Sequence, residues 1–325
     1  MMPTRRALLA AAALAALPGR RAGAEGPAGL VVYGMPATPS VVLARAAALV
    51  AATRPGTRFE VWRTADQMRA GAVGGTMDLY AAPTYSAANL FNRGAALRLV
   101  NVLTWGLLYG LARDPGLTRI EDLAGKTVLL AARHDAPDLL FRLVLAWAGL
   151  DPERDVTLTY SATSAEVVPL FLAGRGDVAI LPEPAATTAL VKAKQAGQTL
   201  HRTLDVTEIY GRKTGRGARI PQAGLCVSEA LLARDPAGVA AVAAACHDAA
   251  AWIAGDPAAA GALGAGFLGL PAAIVQASLP QFRLDVVDAA DARADLELYF
   301  SNLMTLSPDI VGGRLPDARF YAGRP

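Results

Sequence analysis

The chain has 325 residues, 53% of them apolar and 18% charged. This is enough for two lobes of ordinary domain size, and the composition excludes a disordered or collagen-like chain. The formal charge of +3 is carried by the N-terminus: without Arg5, Arg6, Arg20 and Arg21, 27 basic residues face 28 acidic ones, which leaves no footing for a nucleic-acid surface.

Thr4-Arg5-Arg6-Ala7-Leu8-Leu9 begins with positive charge, Ala7 to Leu17 is a short apolar run, and Ala22-Gly23-Ala24 has the small-x-small form of a cleavage site. These are the three parts of a secretory signal peptide, so residues 1–24 are expected to be removed and the mature protein to reach the periplasm. The arginine pair also resembles a twin-arginine signal, although Leu8 stands where Phe is common, and both export routes stay open. No cysteine lies near the cleavage site, which excludes a lipoprotein anchor. Cys226 falls in an apolar strand-like run and Cys246 in an Ala-rich helix, where unpaired core thiols are expected.

Beyond the signal, Leu30 to Gly34 reads as a buried strand. A helix follows from Ser40, taken as its N-cap, to about Thr53. Phe59–Arg63 is a second strand, a short helix lies near Ala65–Met68, and Asp78–Ala82 is a third strand closed by Pro83-Thr84-Tyr85. This βαβαβ alternation predicts a parallel sheet with helices on its faces. The apolar run from Leu97 to Leu111, broken at Gly106 and Gly110, is expected to cross between lobes. The alternation then restarts with strands at 126–131, 156–160 and 177–181 and helices at 136–149, 164–173 and 184–197. Arg212 to Arg219, the one basic cluster, is Gly-rich and reads as a solvated loop. After one more strand past Pro221 the chain is mostly helical, at 236–254, 257–266, 271–278 and 288–306, and this tail is expected to return to the first lobe.

Three segments in the second unit carry a resemblance. They are Ile120-Glu121-Asp122-Leu123-Ala124-Gly125-Lys126-Thr127-Val128, then Ala148-Gly149-Leu150-Asp151 with Asp155-Val156-Thr157-Leu158, then Gly174-Arg175-Gly176-Asp177-Val178-Ala179-Ile180-Leu181-Pro182-Glu183-Pro184. In order and spacing they resemble the substrate-binding proteins of nitrate/sulfonate/taurine-type ABC importers, a family that also holds binding proteins for thiamine-pyrimidine precursors. The resemblance implies an α/β chain of the type II periplasmic-binding-protein fold, with two α/β lobes and a ligand cleft between them. Lobe 1 would be discontinuous, residues 29–105 and 219–325, and lobe 2 residues 106–218. It further implies a monomer that captures a small organic molecule and delivers it to an ABC permease and ATPase complex, with no enzymatic role and no cofactor.

Loops at the carboxyl ends of strands would face such a cleft. They supply Met35 and Thr38, Thr84 and Tyr85, Asn101 and Trp105 at the first crossing, then His134 and Asp135, Ser161 and Thr163, Glu183, and Gln222 near the return crossing. The Ser161–Ser164 hydroxyls and amides either hold an anion or cap a helix through Ser164, and Thr38 and Ser40 face the same choice. Trp105 and Tyr85 either stack on a ligand or fill the core. His134 is either a hydrogen-bonding cleft residue or part of a surface loop, and three widely spaced histidines do not form a metal site. Glu183, between two prolines, has three readings: ligand acceptor, hinge brace, or permease-facing surface. Of the cleft loops only Arg133 brings an obvious cation, which favours a neutral or cationic ligand, a heterocycle among them. Two alternatives accompany the transport reading: an enzyme on the same fold, like the pyrimidine synthases but without their cysteine-rich motif, and a periplasmic partner that presents ligand to a membrane sensor.

Overall fold

A computed structural model describes residues 28–322. The signal-peptide and export readings lie outside the described residues. Two sheets organise the chain. The first has the order Leu284–Asp288, Leu97–Thr104, Ala223–Ser228, Leu79–Pro83, Val31–Gly34, Arg58–Val61, and the second Thr157–Ser161, Thr127–Ala131, Val178–Pro182, Leu108–Ala112, His201–Asp205.

The first sheet begins with β1 (Val31–Gly34), α1 (Ser40–Ala51), β2 (Arg58–Val61), α2 (Ala65–Val73), β3 (Leu79–Pro83) and α3 (Thr84–Asn92). β1 pairs in parallel with both β2 and β3, as the alternation predicts. The sheet as a whole is mixed, however, because β10 (Ala223–Ser228) runs antiparallel between β3 and β4 (Leu97–Thr104), and β11 (Leu284–Asp288) runs antiparallel to β4. A strand returning from the second sheet enters the first in the reverse direction, which a simple βαβ reading does not foresee. Ser40 is the first helical residue of α1 and not its cap; Pro39 holds that place, and Ser40 Oγ donates to Met35 O at 2.8 Å.

The chain crosses at Trp105–Leu107 into β5 (Leu108–Ala112). β6 (Thr127–Ala131), α4 (Ala136–Trp147), β7 (Thr157–Ser161), α5 (Ser164–Leu172), β8 (Val178–Pro182) and α6 (Ala185–Gln195) follow the predicted restart closely. β6 and β8 are continuous apolar runs because both faces of this sheet are covered. Val128, Leu130, Val178 and Ile180 join a core with Leu140 and Val144 of α4. Leu129, Ala179 and Leu181 pack on the opposite face with Val167 and Phe171 of α5.

β9 (His201–Asp205) and α7 (Val206–Thr214) follow, and neither is predicted from the pattern. The return segment then leads to β10, α8 (Glu229–Arg234), α9 (Pro236–Gly255), α10 (Pro257–Leu268), α11 (Ala272–Ser278), β11 and α12 (Arg293–Met304). α9 packs on α1 and on β11. The expected helix from residue 288 starts five residues later, because Asp288 ends β11.

Arg212 to Arg219 is not simply a solvated loop. Arg216 pairs with Asp295, and Arg219 pairs with Asp285 at 3.1 Å while its guanidinium lies 3.6 Å over the Trp105 ring. Both cysteines are buried and free.

Candidate functional site

The carboxyl ends of β3 and β6 meet. Thr84, at the start of α3, donates its hydroxyl to Pro221 O at 2.5 Å, and its amide donates to Gln222 O at 3.1 Å, so it fixes the return segment. One residue on, the Tyr85 hydroxyl reaches the opposite sheet's side and donates to Asp135 Oδ1 at 2.5 Å. Burial, then the Asp135 charge, holds the Tyr85 phenol well above its ordinary pKa, so it remains a donor at any physiological pH.

Asp135 is the N-cap of α4, and Oδ1 also accepts from Ala136 N at 2.8 Å. The loop before it is strained. Ala132 (φ 52°) and His134 (φ 67°) occupy the left-handed region, which side chains disfavour. Such strain persists only where neighbours over-determine it. Here Ala132 N donates to Ser161 O, Asp135 N to Ala132 O, and His134 N to Asp138 Oδ2. Asp138 is fully buried and is itself held by Arg142 Nε at 3.0 Å and the Tyr160 hydroxyl at 2.8 Å. Burial, followed by that carboxylate, pushes the Tyr160 phenol up to about 12. A cavity of about 40 Å³ lies beneath this loop, lined by Ala131, Ala132, Pro137, Asp138, Ser164 and Pro182 among others. A larger open pocket of about 440 Å³ sits on the outer side of α4 and α7, beside Trp147 and Arg212, and none of the sequence-predicted residues lines it.

Glu183 directly follows β8 with its side chain wholly buried. Oε1 lies 2.5 Å from Arg202 Nη2, and Oε2 accepts from Thr187 N at 3.1 Å in the first turn of α6. Arg202 in turn lies 4.1 Å over the Tyr109 ring. Both partners belong to elements of the second sheet's own unit, so the carboxylate ties β8 to β9 and α6 and its side chain does not reach either crossing. The pairing also corrects the charge reading: β9 delivers a cation that the cleft loops do not contain, so Glu183 does not by itself set the charge of a ligand.

The other predicted residues divide. Thr38 is buried, with Oγ1 3.4 Å from Ser278 Oγ on α11. Thr163, not Ser164, caps α5 and accepts from Glu166 N, which occupies its hydroxyl in the fold. Ser161 lends its carbonyl to the strained loop, and His134 is exposed. Met35 is a core residue. Asn101 lies fully buried within β4, its Oδ1 accepting from Leu225 N at 3.3 Å and its side chain facing the Cys246 thiol. Trp105 fills the crossing and donates Nε1 to Asp285 O at 2.7 Å. Thr84, Tyr85, Gln222 and the His134 loop are therefore brought together, while Met35, Asn101 and Trp105 serve the core and the crossing. Asp138, Arg202 and Tyr299 are missed by sequence reasoning. Asp138 reads as an ordinary acidic residue in a first helical turn, and nothing in the pattern tells that it turns inward.

Sheet order and crossings are those of a type II periplasmic-binding-protein fold, and solved structures share it. An ABC transporter protein from Parabacteroides distasonis is 22% identical with a TM-score of 0.75, over 91% of this chain and 99% of that one. The periplasmic aliphatic sulphonate binding protein SsuA from Escherichia coli is 18% identical with a TM-score of 0.72, over 92% and 93%. The periplasmic nitrate-binding protein NrtA from Synechocystis PCC 6803 is 12% identical with a TM-score of 0.62, over 88% and 84%. The NMT1-like family model matches residues 109–265, a span containing all three motifs, and this match and these neighbours agree with the resemblance read from the sequence. A search of the curated proteins found no match.

Proposed function

We propose that this chain is the solute-binding component of an ABC importer. It takes up a small organic molecule in the cleft between lobe 1 (residues 29–105 and 219–325) and lobe 2 (residues 106–218), and hands it to a membrane permease. The observation that carries this reading is the meeting of Tyr85 and Asp135 across the two sheets, above a cavity at the carboxyl ends of β6 and β8. Strand ends of this kind are where open α/β sheets hold ligands. Thr84, Tyr85, His134, Asp135, Ser161, Thr163 and Gln222 are the proposed lining, with Glu183 as a brace behind it. The mature protein would act in the periplasm as a monomer and catalyse no reaction of its own.

Among the described residues no group of three His, Cys, Asp or Glu side chains is placed to hold a metal ion. The two thiols are buried separately on β10 and α9. Nothing specific in the structure favours the enzyme alternative over binding.

A thermal-shift screen of residues 25–325 against sulfonates, nitrate, pyrimidines, amines and aromatic acids tests the proposal. A ligand at 100 times its dissociation constant adds about 2.7 kcal/mol to stability by mass action. Stabilisation by at least one class, weakened by a bulky substitution such as Gln222→Trp, is the expected result. Turnover of the stabilising compound, or stabilisation by none of them, would contradict it.

A further inference from the structure

We infer that Asp135 selects the ligand and that it selects a small organic cation, a protonated amine carried on an otherwise apolar body. This rests on reading the cleft as the binding site. Asp135 stands at the meeting of the lobes with Oδ1 taken by Tyr85 and Ala136, while Oδ2 takes no hydrogen bond among the described residues. A second, independent feature points to the same spot. The Tyr299 hydroxyl on α12 is fully buried and among the described residues has no hydrogen-bond partner, and α12 packs against α4, the helix that Asp135 caps. A buried hydroxyl without a partner is costly unless something arrives to use it.

The charges nearby leave little for an anion. Arg142 is taken by Asp138 and Glu153, Arg202 by Glu183, and Arg69 by Asp66, while Arg133 lies over the Tyr160 ring. Helix N-termini are the usual alternative anion holders. In lobe 2 each of the three that follow β6, β7 and β8 already has a carboxylate of the chain itself: Asp135 on Ala136 N, Glu166 on Ala162 N, and Glu183 on Thr187 N. An incoming sulfonate would meet carboxylates with their cations already engaged. An ammonium would instead gain a charge-assisted hydrogen bond to Oδ2, with the tyrosine hydroxyls as further acceptors. The small cavity beneath the Asp135 loop, lined by Leu108, Leu130, Pro137 and Ile180 among others, offers apolar surface next to it.

Calorimetry on residues 25–325 at pH 7 with matched pairs of probes tests this: methylamine and methanesulfonate, benzylamine and benzenesulfonate, phenethylamine and phenylethanesulfonate. At least one amine is expected to bind more tightly than its sulfonate partner. Asp135→Asn, which keeps the helix cap because Asn caps as well as Asp, is expected to weaken that amine at least tenfold. Tyr299→Phe is expected to weaken it severalfold without lowering the melting temperature, and Asp317→Asn, an exposed carboxylate paired with Arg319, to leave it unchanged. A sulfonate that binds as tightly as its amine partner, or an amine indifferent to Asp135→Asn, overturns the assignment and leaves the cleft standing. Failure of every probe also overturns it, and the cleft is then judged separately by the wider thermal-shift screen.

Discussion

Glu183 and Arg202 show what a single residue's environment decides. Two flanking prolines mark Glu183 in the sequence, but its partner comes from β9, a strand of mostly polar, half-exposed residues with no apolar run. The carboxylate was therefore legible and its neutralisation was not. Removing one member of a buried pair strands the other charge, so Arg202→Met is expected to cost on the order of 3 kcal/mol in urea unfolding. A loss below about 0.5 kcal/mol would place the pair among exposed bridges of little consequence. The cysteines were read correctly as core thiols from their apolar neighbours. Burial pushes the Cys246 thiol up to about 12. Its contribution to stability is thus complete below the ordinary thiol pKa near 9 and is lost as the pH rises from there toward 12, because only the unfolded chain ionises in that window. Native protein at pH 8 is expected to leave a thiol reagent unconsumed and the denatured chain to consume two equivalents. Reaction of the native protein, or none after denaturation, would contradict two free buried thiols.

Among the elements, the inner strands are the plainest in sequence because they are buried on both faces, while the half-exposed edge strands β2 and β7 are recovered from their place in the βαβ alternation. β6 and β8 announce themselves by apolar runs, and the turns before them hold each other: Asp177 N donates to Thr127 O, and Thr127 N to Asp177 Oδ2, each at 2.8 Å. Two of the motifs behind the family resemblance are therefore one physical joint. Gly174 takes a positive φ of 77° just past α5, and a Cβ on Gly176 would stand 2.6 Å from Leu129 Cγ. Gly176→Ala is expected to destabilise by about 1–3 kcal/mol through overpacking, and Asp177→Ala by about 1 kcal/mol through the lost hydrogen bond. Thermal unfolding of each variant checks both values, and no change in the melting temperature of Gly176→Ala would show that Leu129 yields freely. The strands that escaped the sequence, β9 and β11, are edge strands. With one side unpaired and most residues half exposed, they lack the run that reveals an inner strand, and unlike β2 and β7 they lie outside the βαβ alternation. α7 and α12 were blurred for the same reason, since each begins at or just beyond such a strand.

At the scale of the whole molecule, the lobes touch on both sides of the crossing. Tyr85 meets Asp135 on the cleft side. On the other, Arg283 pairs with Asp205 and Glu208, the Tyr109 hydroxyl donates to Gln281 O at 2.6 Å, and Arg216 reaches Asp295, while Arg219 holds Asp285 within lobe 1. The basic cluster that read as a loop is thus an electrostatic clamp near the crossing. Its pairs are partly exposed, so salt is expected to weaken the closed arrangement through screening. The two-lobed plan was legible because the βαβ alternation stops and restarts, whereas the groups that join the lobes are far apart in sequence and follow no pattern. The central claim is that a solute is held between the lobes, and distance measurement addresses it most directly. With the native thiols buried, spin labels on Val73→Cys and Leu170→Cys, both exposed and on different lobes, report lobe separation by pulsed electron resonance. Without solute a broad distribution is predicted, and the compound that stabilises the protein in the thermal-shift screen should collapse it to one narrower population. The same distribution with and without a saturating amount of that compound would contradict binding between the lobes.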